Sequence, residues 1–266
     1  MIEVQALSKA FGNVAAVRGV SFSVAPGELL VLVGGSGSGK TTTLKMINRL
    51  IEPDSGTVLI DRVNAATIPG HVLRRRIGYV FQKVGLFPHM TVAANIATPL
   101  RLIGHAQDQI RQRVAEVLEL MELPAAYGDR YPAALSGGEQ QRVGVARALA
   151  AEPRVMLLDE PFGALDPLTR DRLQQSFMAV RHRLGLTAVF VTHDMVEALL
   201  LADRIAVLHD GALVQVGTPA ELLRSPADDY VEQMLVTPRR QSRALDDLLA
   251  ARPASGPANG TASPAR

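Results

Sequence analysis

The sequence predicts an α/β fold with a largely parallel sheet, an antiparallel β patch before it and an α-helical subdomain inserted into it. Wholly apolar runs at 29–33, 155–158 and 188–191 are typical of parallel strands that are buried on both faces. From residue 2 to the first run, apolar and polar residues alternate, which favours half-buried antiparallel strands. Residues 83–150 instead repeat apolar side chains at helical spacing, which predicts the inserted subdomain.

Local signals place the elements between and after these runs. Further strands are indicated by turn residues and short apolar stretches at 57–60, 74–81, 204–208 and 213–216. The last two strands flank an Asp-Gly turn and are expected to form a hairpin that closes the sheet. An amphipathic helix that ends at Gly185 is indicated by the spacing of Leu173, Phe177, Val180 and Leu184.

Composition restricts the classes of protein that are possible. With 266 residues, 47% of them hydrophobic, the chain can bury a sizeable core. Its 28 basic and 26 acidic residues give a formal net charge of +2, and neither sign forms a long block, so charge suggests no nucleic-acid partner. The lack of cysteine excludes disulfides and thiolate metal sites, which is consistent with a reducing cytoplasm.

No segment of the sequence is typical of a secretory signal or a membrane span. Residues 1–5 begin with strand-like alternation rather than with a basic region followed by an apolar one, so we expect no signal peptide. No run approaches the roughly 18–20 apolar residues that a span needs. We therefore expect membrane association only through a partner.

A phosphate-binding loop follows the first apolar run. Residues 34–41 read Gly-Gly-Ser-Gly-Ser-Gly-Lys-Thr and lie between a predicted strand and a predicted helix, the context that this motif requires. Glycines let successive N–H groups point inward, and the helix start adds positive potential, so a polyphosphate can bind there. Lys40 is expected to reach the β- and γ-phosphates, and Thr41 to ligate Mg²⁺. The predicted nucleotide-binding residues are Gly34, Gly35, Ser36, Gly37, Ser38, Gly39, Lys40, Thr41 and Thr42.

Two carboxylates follow the second apolar run. Residues 155–158 lead into Asp159 and Glu160, a pattern typical of the Walker B strand of nucleotide hydrolases. Asp159 is expected to hold Mg²⁺ through water, and Glu160 to orient or deprotonate the attacking water. Neighbouring residues can take these two separate roles because consecutive side chains leave a strand in different directions. An exposed acidic turn is the alternative interpretation.

A third motif carries the resemblance to a family. Residues 135–142, Leu-Ser-Gly-Gly-Glu-Gln-Gln-Arg, match in full the signature of ATP-binding cassette (ABC) ATPases. The order and spacing of the motifs over about residues 1–235 resemble an ABC nucleotide-binding domain. The resemblance implies a domain over 1–236, with a P-loop NTPase (RecA-like) core at 1–82 and 151–236 and the helical subdomain at 83–150. We expect a largely disordered tail at 237–266, with a short helix at 242–251, because its last 15 residues contain almost no large apolar side chain.

The resemblance also implies roles for residues that carry no signal alone. It implies that Phe11 stacks on adenine and that Gln82 links Mg²⁺ and water to the transporter contact. It also implies that Asp166 lies in the D-loop and belongs to the nucleotide-binding residues, and that His193 contacts the γ-phosphate. The expected catalytic residues are thus Glu160, His193 and Gln82, and the expected metal-binding residues are Thr41, Gln82 and Asp159.

The signature further implies that one chain holds only half of an ATP site. In the family, the signature residues, here Ser136, Gly137, Gly138 and Glu139, bind the γ-phosphate of ATP that the other protomer holds. We therefore expect a homodimer in the ATP-bound state. By the same resemblance, it would dock on transmembrane permease subunits at the cytoplasmic face of the inner membrane and act indirectly with a substrate-binding protein. Residues 83–98 are expected to receive the permease's coupling helix.

A narrower resemblance points to importers of osmoprotectants. Residues 41–53, 86–97 and 191–195 look like those of ATPase subunits that serve glycine betaine, choline or carnitine importers. Gly35 departs from that group, where proline is usual, and should loosen the loop. The residues after Val236 are too few for the paired regulatory domains of many relatives, so we expect no sensing through such domains.

Other functions remain as alternatives. An importer of another small polar solute is possible because this subunit does not touch the cargo. A second alternative is a soluble ABC ATPase that acts on DNA or the ribosome. Long coiled-coil insertions or a second cassette would support it, and the sequence contains neither. A GTP-binding switch would need an Asn-Lys-x-Asp guanine motif, which the sequence lacks, and it would leave the signature unexplained.

Overall fold

A computed structural model describes residues 1–163 and 165–250. The strands are β1 (Ile2–Phe11), β2 (Val14–Val24), β3 (Leu29–Val33), β4 (Ser55–Ile60), β5 (Val63–Asn64), β6 (Ile77–Val80), β7 (Val155–Asp159), β8 (Thr187–Thr192), β9 (Arg204–His209) and β10 (Ala212–Gly217). The helices are α1 (Lys40–Ile47), α2 (Gly70–Arg75), α3 (Val92–Leu102), α4 (Gln107–Leu120), α5 (Gly137–Ala150), α6 (Pro167–Leu184), α7 (Met195–Leu201), α8 (Pro219–Arg224) and α9 (Asp229–Ala250).

The strands form two sheets. The larger sheet has the order β10-β9-β3-β8-β7-β6, and all its pairs are parallel except the hairpin of β9 and β10. The smaller sheet, ordered β2-β1-β4-β5, is antiparallel throughout. The predicted α/β fold, the N-terminal antiparallel patch and the closing hairpin are therefore confirmed. The patch also recruits β4 and β5, which follow the phosphate-loop helix α1 in the chain.

Strand β3 joins the two apolar cores of the domain. It is buried along its whole length. Leu29 and Val31 belong to the core that includes the helical subdomain, whereas Leu30 and Leu32 belong to the core that includes α1 and the antiparallel sheet. Because side chains alternate across a strand, β3 is held from both faces. The phosphate loop thus begins at a rigid, fully buried strand.

Helices α3, α4 and α5 form the predicted helical subdomain. Their apolar faces meet in one core, which includes Ile96, Val117 and Val143. The helices begin later than the spacing indicated, because residues 83–91 form a loop before α3. Buried Asn95 holds that loop: its amide accepts the Phe87 N–H at 2.8 Å and donates to the Phe87 carbonyl at 3.1 Å. These side-chain bonds replace helical backbone bonds in this segment.

Helix α9 extends into the first part of the segment 237–266, which was expected to be a largely disordered tail. The helix begins at Asp229, is anchored by the fully buried Val231 and Leu235, and continues to Ala250. Residues 239–250 contain three Arg, three Leu and two Ala, which favour continuation of a helix once its start is anchored. The rest of the predicted tail, 251–266, lies outside the described residues, as does the last residue of the short helix expected at 242–251. The domain limits at 82, 150 and 236 stay predictions.

Within the described ranges, no helix combines the length and the apolar character that crossing a bilayer requires.

Candidate nucleotide-binding site

The phosphate loop joins the end of β3 to the start of α1, as predicted. Two of its glycines are required because neighbouring backbone passes very close. A Cβ on Gly34 would lie 2.1 Å from the Leu208 carbonyl oxygen, and one on Gly39 would lie 2.5 Å from that of Ala16. Gly39 also has a φ of 94°, in the left-handed region that favours glycine. The loop is thus fixed between β9 and β2.

Lys40 fills the hollow of the loop. Its side chain is buried, and Nζ donates hydrogen bonds of 2.8 Å to each of the Gly34 and Gly35 carbonyl oxygens and one of 3.3 Å to Ser38 Oγ. Burial lowers the pKa of Lys40, while the carboxylates of Glu160 and Asp159 at the end of β7 act to raise it. A phosphate oxygen can replace Ser38 Oγ, the most distant of the three partners of the amine.

Thr41 and Asp159 meet where α1 faces the end of β7. Thr41 Oγ1 donates a 2.8 Å hydrogen bond to Asp159 Oδ1. Burial raises the pKa of Asp159, and the hydrogen bond from Thr41 and the charge of Lys45 offset part of this rise. A hydroxyl beside a carboxylate is an oxygen-donor pair of the kind that Mg²⁺ prefers, so both residues fit the expected ion.

The predicted catalytic side chains lie together around Glu160. Its Oε2 accepts a 3.1 Å hydrogen bond from Gln82 Nε2 and lies 3.3 Å from His193 Nδ1. Gln82, Glu160 and His193 follow β6, β7 and β8, which are neighbours in the parallel sheet, so strand order brings them together. Within the described ranges, no hydrogen bond joins Gln82 to Thr41 or Asp159, the other two predicted metal ligands.

The backbone of Glu160 is held in an unusual conformation. Its φ is 45°, in the left-handed region that non-glycine residues seldom adopt. Its N–H donates a 3.0 Å hydrogen bond to the Val191 carbonyl oxygen of β8, which continues the strand pairing beyond the end of β7. The surrounding sheet therefore holds the strain and fixes the direction in which this carboxylate leaves the strand.

A cavity of about 850 Å³ opens beside the loop. Phe11 lines it, and the ring of Phe11 is half exposed, as a surface that stacks on a base must be. Gln82 and Glu160 also line the cavity, together with the loop and helix residues Ser36, Gly37, Ser38, Gly39, Lys40, Thr41 and Thr42. Gly34 and Gly35 contribute instead through their carbonyl oxygens, which hold Lys40. The volume lies in the range of small-molecule and cofactor sites.

Sequence reasoning missed one wall of this cavity. It is formed by Asn13, Val14, Ala15, Ala16, Arg18 and Asp210. The Arg18 guanidinium donates to the Asp210 carbonyl oxygen, and the Arg18 N–H donates to the Gly211 carbonyl oxygen at 2.7 Å. Arg18 thereby ties β2 to the turn after β9. A single arginine within an alternating strand carries no sequence signal for this position.

The signature residues lie at the start of α5 and do not line the cavity. Ser136 Oγ accepts the Glu139 N–H at 3.3 Å, and Glu139 Oε2 accepts the Ser136 N–H at 2.7 Å, which is the predicted capping box. Ser136 and Gly137 are exposed. Gly138 is buried against α6, where an added Cβ would lie 2.4 Å from Thr169 Cγ2. The signature therefore presents an exposed helix N-terminus.

Asp166 also lies outside the cavity. It is exposed at the start of α6, where its Oδ1 accepts the Thr169 N–H at 3.1 Å. Hydrogen bonds from Thr169 lower the pKa of Asp166, so the helix start keeps a negative charge. Thr169 thus contacts both Asp166 and the buried signature glycine, which links the D-loop to the signature.

The comparison with protein families identifies the chain. The family model described as "ABC transporter" matches residues 17–163, which include the phosphate loop, the signature and the two carboxylates at the end of β7. This chain belongs to the ABC transporter family. The resemblance that the signature indicated is therefore confirmed.

Two curated members of the family are similar to most of this chain. The glycine betaine/carnitine/choline transport ATP-binding protein OpuCA of Bacillus subtilis is 51% identical over 236 residues, which are 88% of this chain and 62% of that protein. The glycine betaine uptake system ATP-binding protein YehX of Escherichia coli is 50% identical over 233 residues, which are 88% of this chain and 76% of that protein. The chain thus spans about three fifths of the length of OpuCA.

A solved structure shares the fold. The dimeric bacterial ABC transporter cassette MJ0796 superimposes with a TM-score of 0.76 and is 35% identical, over 82% of this chain and 99% of that one. The likeness confirms the fold of an ABC cassette.

Proposed function

We propose that the chain is the ATP-hydrolysing subunit that powers an ABC importer of quaternary-amine osmoprotectants such as glycine betaine, choline or carnitine. The observation that carries the hydrolytic part is the Glu160 carboxylate, which Gln82 and His193 hold beside the phosphate loop. The cargo is supported by the names of OpuCA and YehX, which describe transport of these amines by those proteins.

Glu160 acts as the general base in this proposal. Gln82 and His193 both approach Oε2, which leaves Oε1 without a hydrogen bond among the described residues. A carboxylate held through one oxygen presents the other in a defined direction, toward the water that attacks the γ-phosphate. A base placed in this way contributes about 10²–10⁴ to the rate. Glu160 accepts the water's proton at Oε1 as the γ-phosphoryl group is transferred.

The loop supplies binding and charge stabilisation. Lys40 keeps its two carbonyl partners in the loop and exchanges Ser38 Oγ for oxygens of the β- and γ-phosphates, and the N–H groups at the start of α1 face the same phosphates. Thr41 and Asp159 are the residues that would hold Mg²⁺, which supplies positive charge to the phosphates when bound. The expected contact of Gln82 with this ion stays part of the proposal.

Two copies of the chain are proposed to complete each site. The exposed helix N-terminus at Ser136 and Gly137 is suited to bind an anion, yet it lies outside the cavity of its own chain. A second copy in head-to-tail orientation would bring this helix start to the γ-phosphate. Support comes from MJ0796, whose cassette has been solved as a dimer in a post-hydrolysis state with ADP and Pi.

A groove next to Gln82 supports the expected contact with a permease. Its volume is about 270 Å³. Among the residues that line it, Phe81, Phe87 and Leu102 expose large apolar side chains. We infer that a short apolar helix of the transmembrane subunit docks on this groove and on residues 83–98. The chain would then act as a peripheral subunit at the cytoplasmic face of the membrane, with a substrate-binding protein acting indirectly.

An uptake assay tests the proposed solute separately from the proposed ATP hydrolysis. In a strain that lacks osmoprotectant uptake, this chain should be expressed together with any permease and substrate-binding-protein genes that adjoin its own gene. This combination should restore uptake of radiolabelled glycine betaine. The same strain with the Lys40→Ala variant should show no uptake. Uptake of a different solute, with none of glycine betaine, choline or carnitine, would refute the cargo and leave the ATPase assignment intact.

A further inference from the structure

Tyr230, in the first turn of α9, contacts the phosphate loop. The Gly35 N–H donates a 2.9 Å hydrogen bond to Tyr230 Oη, a contact between residues 195 positions apart in the chain. A Cβ on Gly35 would lie 3.5 Å from the same oxygen, an ordinary van der Waals distance. The C-terminal helix is therefore joined to the loop by one side chain.

The ring of Tyr230 contacts the end of β9, next to the nucleotide cavity. It stacks on His209, with ring centroids 3.7 Å apart and an interplanar angle of 26°. His209 ends β9 and precedes Asp210, which lines the cavity. One side chain thus contacts the loop through its hydroxyl group and the end of β9 through its ring.

The backbone that carries Tyr230 is fixed. Asp228 Oδ1 accepts the Val231 N–H at 2.9 Å, which caps the start of α9. Val231 and Leu235 are fully buried in the core. Because tyrosine has only two side-chain torsions and its ring is stacked, its hydroxyl is a well-defined acceptor.

Tyr230 and Lys40 hold the same peptide group of the loop. The Gly35 N–H and the Gly34 carbonyl belong to one peptide unit, and Lys40 Nζ donates a 2.8 Å hydrogen bond to that carbonyl. In a planar trans peptide the N–H and the C=O point in opposite directions. The two side chains therefore fix this peptide plane from opposite sides, and the glycine at position 35 is not a loose point in the loop.

We propose that Tyr230 is a positioning residue for ATP binding, which preorganises the loop by holding the 34–35 peptide against Lys40. The inference rests on the proposed function, because it concerns affinity for the nucleotide at the same site. The Gly35 N–H is occupied by Tyr230 and thus serves the loop rather than a phosphate. The start of α9 is thereby coupled to nucleotide affinity.

The test is Tyr230→Phe in the full chain, which removes the hydroxyl and keeps the ring on His209. Since one hydrogen bond is lost, the dissociation constant for a non-hydrolysable ATP analogue, measured by calorimetry, should rise about two- to tenfold. The KM for ATP should rise by the same factor, with kcat at saturating ATP unchanged. Tyr131→Phe, at an exposed tyrosine, is the matched control and should change neither value.

A double-mutant cycle separates this role from a general loss of packing. Gly35→Ala keeps the N–H, so Tyr230→Phe should keep its full effect in that background. Gly35→Pro removes the N–H, so Tyr230→Phe should then have no further effect. Unchanged affinity in the single Tyr230→Phe variant, or an effect that persists with Gly35→Pro, would overturn the proposal. If Gly35→Pro does not fold, the single variant and the Gly35→Ala background decide. Failure of the wild-type chain to bind ATP would overturn the proposed function instead.

Discussion

Thr41 Oγ1 donates a 2.8 Å hydrogen bond to Asp159 Oδ1, and this contact joins the phosphate loop to the end of β7. The two residues are 118 positions apart in the chain, and β3 and β7 are separated in the sheet by β8. The sheet thus brings a hydroxyl and a carboxylate together beside the expected position of the β- and γ-phosphates. We therefore expect the Mg²⁺ dependence of ATP hydrolysis to be determined by this pair.

The Asp159→Asn variant should weaken the dependence of hydrolysis on Mg²⁺. Replacing the carboxylate removes the negative charge that attracts the ion, so half-maximal activity should need about 10- to 100-fold more Mg²⁺. Binding of ATP in EDTA should be unchanged, because the loop and Lys40 remain. Hydrolysis measured across a Mg²⁺ titration checks this, with the exposed Asp171→Asn as control. An unchanged Mg²⁺ profile would show that Asp159 does not serve the ion.

Asp203→Asn should destabilise the domain. Arg181 is buried, and its guanidinium donates a 2.5 Å hydrogen bond to Asp203 Oδ2, which also accepts the Leu29 N–H at 2.7 Å. The substitution leaves a buried positive charge without its anion, so the free energy of unfolding should fall by about 2–3 kcal/mol. Urea unfolding at pH 7 measures this fall, and a loss below about 0.5 kcal/mol, as at an ordinary surface site, would contradict it.

The same pair should make stability depend on pH in a defined direction. Burial acts to raise the pKa of Asp203, but the hydrogen bonds from Arg181 and Leu29 outweigh it and lower that pKa. A carboxylate whose folded pKa is lowered stabilises the fold above its unfolded pKa, and this stabilisation is lost as pH falls through the folded pKa. The stability gap between wild type and Asp203→Asn should therefore shrink below about pH 3.9. A constant gap from pH 7 to pH 3 would argue against this origin.

Gly137→Glu should prevent dimerisation without disturbing the fold. A Cβ at Gly137 meets no atom within 4 Å, so the larger side chain fits the monomer. The added carboxylate lies at the exposed start of α5, where it repels the γ-phosphate that a partner would present. ATP binding should stay at the wild-type level, while the ATP-dependent dimer, followed by light scattering, should be lost. Gln107→Glu adds the same charge at the first position of α4 and should leave the dimer intact.

The sequence predicted the parts of the site that local motifs encode. Strand, loop and helix around Lys40 follow from a continuous pattern, and the apolar strands before Glu160 and His193 predict that their ends share one sheet edge. The convergence of Gln82 with these two residues follows from the family's motif order. The capping box of Ser136 and Glu139 could also be predicted from the sequence, because both residues lie within one helical turn.

The contacts that were missed depend on distant packing. Tyr230 meets Gly35 only because buried Val231 and Leu235 fix α9 beside β9, and no residue near Gly35 in sequence signals this. Arg18 reaches the turn after β9 for a similar reason, since β2 passes beside that turn. Only a short helix at 242–251 was expected in the tail, because the sequence does not reveal that the helix begins at Asp229 with its start anchored in the core.

Hydrolysis by Glu160→Gln tests the proposed role of Glu160 most directly. Glutamine keeps the size of the side chain and can still pair with Gln82, but it cannot accept the water's proton. The kcat for ATP hydrolysis should fall about 10²- to 10⁴-fold, while the ATP-bound dimer accumulates in size-exclusion chromatography. Glu119→Gln, at an exposed position on α4, is the control and should retain full activity. Near-normal turnover in Glu160→Gln would contradict the assignment of Glu160 as the general base.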